Sequence, residues 1–499
     1  MGDIVGTHIH NNLPIYLLYL SDMRLVHRST VKQLIQPAID SMVDWCMSAQ
    51  DSEIQKEKHI KQMVKHETRY AIFSHRWLDD GELTFQDLSK LQSISAAGFS
   101  RLIGSPGWLE PCGAAILDQA MDYSAEGGPE RNGGEVFQRM KEICECMSED
   151  TNGFFKLVKF CEAALKYKCN YVWLDTGCIN KQSSAELEES IRSMFSWYRN
   201  SQICIVHLSN TTKPSDIQRD AWFTRGWTLQ ELLAPKKIKF FSRSWRPLTA
   251  KYNDKIPDAE LGVPLWNLIA EITGIPEVQL LNFEAGTINV RERMVWASKR
   301  KTTRIEDMAY CLIGIFDVPL SIAYGEGRMA FYRLQVGIVE QSRDQALFVW
   351  NGLPSSRNSM FAAGPEAFFP LEVSQLTAGD EVAGSADPTY ALTNCGLRIP
   401  LSIYDVQHIE ALGGLNGAWI RYMLEVPGLG KIKMSFKFLS KDAKLTIGIL
   451  GNSPGNISLA IVLISTEIGS QRRYKRMTTD VIKLPSSNGW RAPKVIFIE

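Results

Sequence analysis

From Arg69 onward, short apolar runs alternate with amphipathic stretches. Tyr70-Ala71-Ile72-Phe73 is a continuous apolar run that stops at Ser74-His75-Arg76-Trp77 and turns through Asp79-Asp80-Gly81. That pattern predicts a buried strand followed by a polar loop. Phe154, Phe155, Val158, Cys161, Ala164 and Leu165 recur at helical spacing, and Tyr171-Val172-Trp173-Leu174 then predicts a strand ending in Asp175. Ser183-Ser184-Ala185-Glu186 reads as a capping box, with Ser183 placed to accept from the backbone of Glu186. It opens a helix whose apolar face is Leu187, Ile191, Met194, Phe195 and Tyr198. Ile203–Leu208 is the next strand, Thr224–Leu233 a short helix stopped by Pro235, and Ile238–Phe241 another strand. Strands and helices in this alternation predict an α/β fold around a parallel sheet.

The flanking regions read differently. An apolar start, Leu13–Leu20, leads into a helical stretch that ends in the charged run Asp51–Lys65. Residues 84–150 look like helical and loop insertions, broken at Gly127-Gly128 and Gly133-Gly134. Residues 260–345 are mainly helical, with helices expected over Arg304–Ile315 and Arg328–Ser342. After Trp350 short apolar runs are separated by the turns Gly428-Leu429-Gly430, Gly451-Asn452-Ser453 and Ser486-Ser487-Asn488-Gly489, which predicts a β-rich domain. The expected division is an N-terminal segment 1–64 packing on an α/β core 65–250, a helical extension 251–350 and a β-rich domain 351–499. A chain of 499 residues fits that division.

Composition narrows the function. Hydrophobic residues are 45% and charged residues 22%, values of an ordinary globular chain rather than a disordered or coiled-coil one. Lys and Arg number 55 and so do Asp and Glu. The zero balance argues against a nucleic-acid partner held by overall charge, and leaves only local runs such as Arg472-Arg473-Tyr474-Lys475-Arg476 and Lys299-Arg300-Lys301, which usually mark solvated faces. No apolar stretch is long enough for a membrane span; Ser458–Ser465 is a strand at most. No secretory signal is visible, and Gly6 stands where a myristoylation signal wants Ser or Thr. The ten cysteines form no CxxC pair, and Cys144 and Cys146 have no His nearby to complete a zinc site. Reduced thiols in a cytoplasmic protein with no bound metal are expected.

In an open parallel sheet, ligands sit beyond the carboxyl ends of the strands. Three polar clusters fall at that edge: Ser74-His75-Arg76-Trp77, Asp175-Thr176-Gly177-Cys178, and Trp222-Phe223-Thr224-Arg225-Gly226-Trp227 leading to Glu231. Each has a bland reading. His75 and Asp175 can simply cap strands, Trp222 and Trp227 can be core aromatics, and Glu231 on a short helix is ordinarily a solvated carboxylate. Their joint appearance at one edge points to a site. Cys178, with His75 or His207 as base, is a possible nucleophile pair, but a buried structural thiol is the favoured reading. Tyr324-Gly325-Glu326-Gly327 has the flavour of a phosphate loop and is weak evidence by itself.

These blocks resemble a known family. Arg69–Trp77 followed by Phe85-Gln86-Asp87, then Tyr171–Lys181, then Trp222–Leu232 resemble, in order, the three blocks of the fungal heterokaryon incompatibility (HET) domain. The second block has Gly177 and Asn180 where the family usually shows Cys and Asp. Thr303-Arg304-Ile305-Glu306-Asp307 and Tyr324-Gly325-Glu326-Gly327 are similar to the segment that often follows such domains. The resemblance implies a role in self/non-self recognition and programmed cell death. It further implies a TIR-like (flavodoxin-like) parallel sheet with helical insertions and extension, ahead of the β-rich C-terminal domain.

Enzymatic TIR domains cleave NAD+ with one glutamate on a short helix. Their motif is similar to Trp227-Thr228-Leu229-Gln230-Glu231-Leu232, which places Glu231 in the catalytic position. The activity implied is that of an NAD+ nucleosidase releasing nicotinamide, with NAD+ as substrate and no cofactor. One carboxylate beside the ribose stabilises the oxocarbenium-like state. Ser74, His75, Arg76, Trp77, Asp175, Arg225 and Trp227 are the expected NAD+-binding residues. Arg76 and Arg225 suit the pyrophosphate, and Trp227, four residues before Glu231, suits the pyridine ring. The partner expected is a second copy of the chain or another signalling domain. The alternative is a non-enzymatic death-signalling adaptor that acts by self-assembly.

Overall fold

The apolar start folds as a strand, Tyr16–Tyr19 (β1), that turns back through Arg24–His27 (β2). Leu17 and Leu18 point to opposite faces and both are buried, so this strand is covered on both sides. In the computed structural model the residues described are 2–49, 51–78, 81–91, 137–138, 140–141, 153–256, 265–369, 389–414, 419–437, 444–453, 457–468, 471–477, 481–485 and 491–499. Asp79-Asp80, the glycine pairs near 130, Cys144, Cys146 and Ser486–Gly489 lie outside them. The chain divides into two units, Met1–Glu284 and Ala285–Glu499.

The first unit is mixed α/β. Its helices are Gly2–Asn12 (α1), Arg28–Leu34 (α2), Gln36–Ser48 (α3), Glu53–Glu67 (α4), Phe85–Leu91 (α5), Gly153–Lys166 (α6), Ser184–Asn200 (α7), Thr228–Leu233 (α8), Leu265–Thr273 (α9) and Glu277–Leu281 (α10). Four parallel strands form the middle of the sheet: Tyr70–His75 (β3), Tyr171–Trp173 (β4), Ile203–His207 (β5) and Ile238–Phe241 (β6). The full order is β2-β1-β4-β3-β5-β6, with β1 antiparallel to β4. The parallel sheet expected from the alternation is therefore present and carries an antiparallel hairpin on one edge. From β3 the chain goes to β4 on one side, then to β5 and β6 on the other. The winding reverses at β3, where an open α/β sheet places its ligand crevice, beyond the carboxyl ends of the strands.

Alternation along β3 sorts its side chains between two helical layers. Phe73 stacks on Phe160 of α6 at 4.6 Å, whereas the Tyr70 hydroxyl on the opposite face donates to the Trp197 carbonyl of α7. α7 begins with half of the expected capping box: the Ser183 side chain accepts from the Glu186 N–H at 3.4 Å, while the Ser183 N–H donates to the Asn180 carbonyl instead of the Glu186 side chain. The helix expected over Thr224–Leu233 is interrupted. Ala221–Thr224 is a 3-10 turn capped by Asp220, Arg225 is extended, and α8 starts only at Thr228. The Thr228 hydroxyl, within reach of the carbonyls of Trp222 and Arg225, fixes that break.

The second unit contains Val290–Ser298 (α11), Asp307–Tyr310 (α12), Ile313–Phe316 (α13) and Met329–Gln341 (α14), then a β-rich region. The single helix expected over Arg304–Ile315 is two short ones, and Asp317 in the left-handed region (φ 53°) ends the second. The β-strands are Ala391–Thr393 (β7), Gly396–Asp405 (β8), His408–Gly414 (β9), Trp419–Val426 (β10), Gly430–Lys437 (β11), Lys444–Ser453 (β12), Ile457–Ile468 (β13), Gln471–Arg476 (β14), Ile482–Pro485 (β15) and Lys494–Ile498 (β16). β12 pairs with both β13 and β8, so β8, β12, β13, β14 and β16 close on themselves. β9, β10 and β11 form a separate sheet, which shares one core with β8, β12, β13 and β15. Gly428 (φ 88°) and Gly430 (φ 83°) make the turn between β10 and β11, as expected from sequence. Gly451-Asn452-Ser453 instead continues β12, beside a register shift at Leu450/Asn452.

One buried ion pair fixes the rim of the first unit's sheet. Lys239 on β6 donates to Asp254 Oδ1 at 2.9 Å and to the carbonyls of Thr249 and Lys251, and Asp254 Oδ2 accepts the Phe240 N–H. Both side chains are almost fully enclosed. Removing one partner leaves an uncompensated buried charge. Lys239→Met should therefore lower the free energy of unfolding by about 3–5 kcal/mol, measured by denaturant titration.

Candidate functional site

α8 is too short to have a solvated side: all six of its residues are buried. Glu231 on it is 6% exposed, which removes the bland reading of a solvated carboxylate. Its carboxylate reaches the carboxyl end of β3. The Ser74 hydroxyl, at the end of β3, donates to Glu231 Oε2 at 2.5 Å and accepts the Trp222 indole N–H at 2.8 Å. The Tyr198 hydroxyl of α7 donates to the Phe73 carbonyl at 2.9 Å and also stands in hydrogen-bonding range of this carboxylate.

Burial is the largest influence on Glu231, followed by repulsion from Asp175; both favour the neutral acid. The bonds from Ser74 and Tyr198 and the charge of Arg225 oppose them. The carboxyl is pushed up to about 7.

Polar and partly exposed side chains gather near Glu231. Trp77, 39% exposed, donates its indole N–H to Asp175 Oδ2 at 2.8 Å. Lys181 lies 4.0 Å and Arg225 5.6 Å from the centre of the Trp77 ring. Arg225 also reaches the His75 carbonyl at 3.4 Å. Ser74, Trp77, Asp175, Arg225 and Glu231 thus meet at one edge. Trp227 is half-buried at the start of α8, where its carbonyl accepts the Glu231 N–H at 3.4 Å.

Two of the seven expected binding residues stand elsewhere. His75 follows Ser74 on the strand and so faces the other layer, stacked on Phe73 at 4.2 Å and 3.4 Å from Glu82. Burial, with help from Lys156, lowers its pKa against the pull of Glu82. Arg76 is exposed, and its carbonyl accepts from Lys156, which also pairs with Glu82. This second cluster was missed in the sequence, because Glu82 and Lys156 lie in segments with no recognisable motif. Lys181 and Tyr198 were missed as site residues too. Lys181 stood in the second block, whereas Tyr198 was legible only as part of a helix's apolar face.

Other candidate chemistry is used internally. Burial pushes the Cys178 thiol up to about 12 and His207 down to about 3, and His207 is stacked on Trp245, so neither suits a nucleophile pair. The backbone N–H groups of Gly325 and Gly327 both donate to Glu306 Oε1, at 2.9 and 3.0 Å, so a carboxylate of the chain itself fills that phosphate-like loop. Arg472 pairs with Asp405, Arg473 with Glu499, and Arg476 donates to the Phe348 and Trp350 carbonyls, which absorbs much of the C-terminal basic run. Among the described residues no cluster of His, Cys, Asp and Glu is placed to hold a metal ion. Among them, too, no helix is long and apolar enough to cross a membrane.

The chain has recognisable relatives. The family model described as "Heterokaryon incompatibility protein (HET)" matches residues 140–216, a span that holds β4, α7 and β5 and ends short of Glu231. "Vegetative incompatibility protein HET-E-1" of Podospora anserina is 40% identical over 186 residues, which is 35% of this chain and 13% of that protein. The similarity thus covers only a small part of the relative. No solved structure matches. With the three sequence blocks converging on one sheet edge, these matches support a heterokaryon incompatibility (HET) domain in this chain.

Proposed function

We propose that the Glu231 crevice is the active site of an NAD+ glycohydrolase acting in fungal incompatibility and programmed cell death. The observation that carries this reading is the buried Glu231 carboxyl, held by Ser74 above the strand where the winding reverses. The parallel strands run β4-β3-β5-β6, the order 2-1-3-4 in chain sequence, which is the flavodoxin-like arrangement and supports a TIR-like core. The incompatibility role is supported by the printed name of the Podospora relative.

Cleavage breaks the bond between nicotinamide N1 and ribose C1′; nicotinamide leaves with the bonding electrons as a neutral molecule. Positive charge develops on the ribose, and ionised Glu231 stabilises it until water adds at C1′ and loses a proton. Trp77 offers a ring face at the mouth, and Arg225 and Lys181 offer positive charge to the pyrophosphate. Trp222 and Tyr198 act through Ser74 and Glu231 as positioning residues.

The test is nicotinamide release by the purified full chain. Glu231→Gln keeps the shape and removes the charge, so turnover should fall about 100- to 1,000-fold while NAD+ still binds. A variant within about threefold of the parent, or a parent releasing no nicotinamide, would return the protein to the self-assembling adaptor reading.

A second outcome concerns stability. Folded Glu231 keeps its proton up to about pH 7, whereas an ordinary glutamate releases it near 4.5. The folded state binds the extra proton between those values, so its stability falls as pH rises through that window. The loss is on the order of 3 kcal/mol. Glu231→Gln avoids it. The variant should therefore melt above the parent at pH 8, with the advantage shrinking towards pH 5, as read by calorimetry.

A further inference from the structure

The β-rich region has an open seam of its own. β11 is the outer strand of its sheet and pairs with β10 alone, while β15 pairs with β13 alone, among the described strands. Between them lies a groove of about 670 Å3. Its floor includes Ile432, Met434, Ile482 and Leu484, core side chains that come to the surface here. Its rim carries Arg421, Lys431, Lys433 and Lys483. Glu425 stands opposite Lys431 in the β10–β11 ladder, whereas Lys433 stands opposite Met423.

Alternation along β11 gives the groove a readable code. Lys431 and Lys433 are exposed, and Ile432 and Met434 between and beyond them are buried. Lysines on an edge strand guard against pairing with neutral or basic strands, including other copies of the same edge. The same charges favour an acidic strand. Side chains that neighbour each other across a ladder share a face, so the complement of Lys-Ile-Lys-Met is acid-apolar-acid-apolar.

We propose that this groove binds an extended acidic peptide segment, which adds as a strand to β11. Its apolar side chains cover the floor and its carboxylates meet Lys431 and Lys433. Backbone pairing supplies affinity, and the alternating side chains supply specificity. The proposal stands independently of any NAD+ chemistry.

The test uses the full chain and a fluorescent eight-residue peptide of alternating Glu and Val, followed by anisotropy. Saturable binding is expected, with none for the matching Lys/Val peptide. The double variant Lys431→Glu/Lys433→Glu should weaken it about tenfold or more. Lys431→Gln/Lys433→Gln, which adds no repulsion from Glu425, should give a smaller loss and serves if the reversal does not fold. Methylating alternate backbone nitrogens of the peptide on its pairing edge should abolish binding. No saturable binding, an unchanged affinity in both variants, or equal binding of the methylated peptide would overturn the proposal. Preferential capture of phosphatidylserine vesicles or of a single-stranded oligonucleotide would overturn it as well, making the rim a membrane or nucleic-acid surface.

Discussion

Three distant segments of the first unit are tied together by one hydroxyl. Ser74 is the penultimate residue of β3, Trp222 lies in the 3-10 turn before α8, and Glu231 lies on α8. The serine uses its proton on the carboxylate and its lone pair on the indole N–H. A donor and an acceptor bond on one hydroxyl polarise each other, most effectively where water is absent. Trp222 is fully buried, so the turn that precedes α8 has little freedom to move. The position of α8, and with it the crevice, depends on this link.

The link also accounts for the two clusters at the sheet edge. A strand directs successive residues to opposite faces, so Ser74 and His75 cannot serve the same site. Ser74 faces the Glu231 layer. His75 joins Glu82 and Lys156 on the α6 side, and the backbone around Arg76 connects the two through the Lys156 bond to its carbonyl. Lys156 and Glu82 satisfy each other in a setting that would otherwise penalise either charge. The second cluster thereby fixes the loop that leads to Trp77, an exposed residue bonded to Asp175.

Much of this was legible in the residues. Buried parallel strands read as apolar runs that end abruptly in polar residues, which located β3, β4, β5 and β6 to within two residues, β3 continuing through Ser74 to His75. Their polar ends marked the edge of the sheet, and Ser74, Asp175, Arg225 and Glu231 do meet there. The burial of Glu231 was not legible. It follows from packing on every side of a six-residue helix, and helical spacing says nothing about a helix that lacks an outer face. Nor was the hairpin β1–β2, because four-residue strands leave too short a period, or the role of Glu306, whose partners lie about twenty residues downstream. The glycines of Tyr324-Gly325-Glu326-Gly327 serve as a backbone nest, and only the structure shows that the chain fills it itself.

The central physical claim is a carboxyl poised between its two states near neutral pH because it is buried beside Asp175 and held by Ser74. Infrared difference spectra of the parent minus Glu231→Gln, recorded from pH 4 to pH 9, isolate the carboxylic-acid C=O stretch of that one side chain. The account predicts a protonated band that persists at pH 6 and disappears with a midpoint near the value of about 7. A midpoint at the ordinary glutamate value near 4.5 would contradict it.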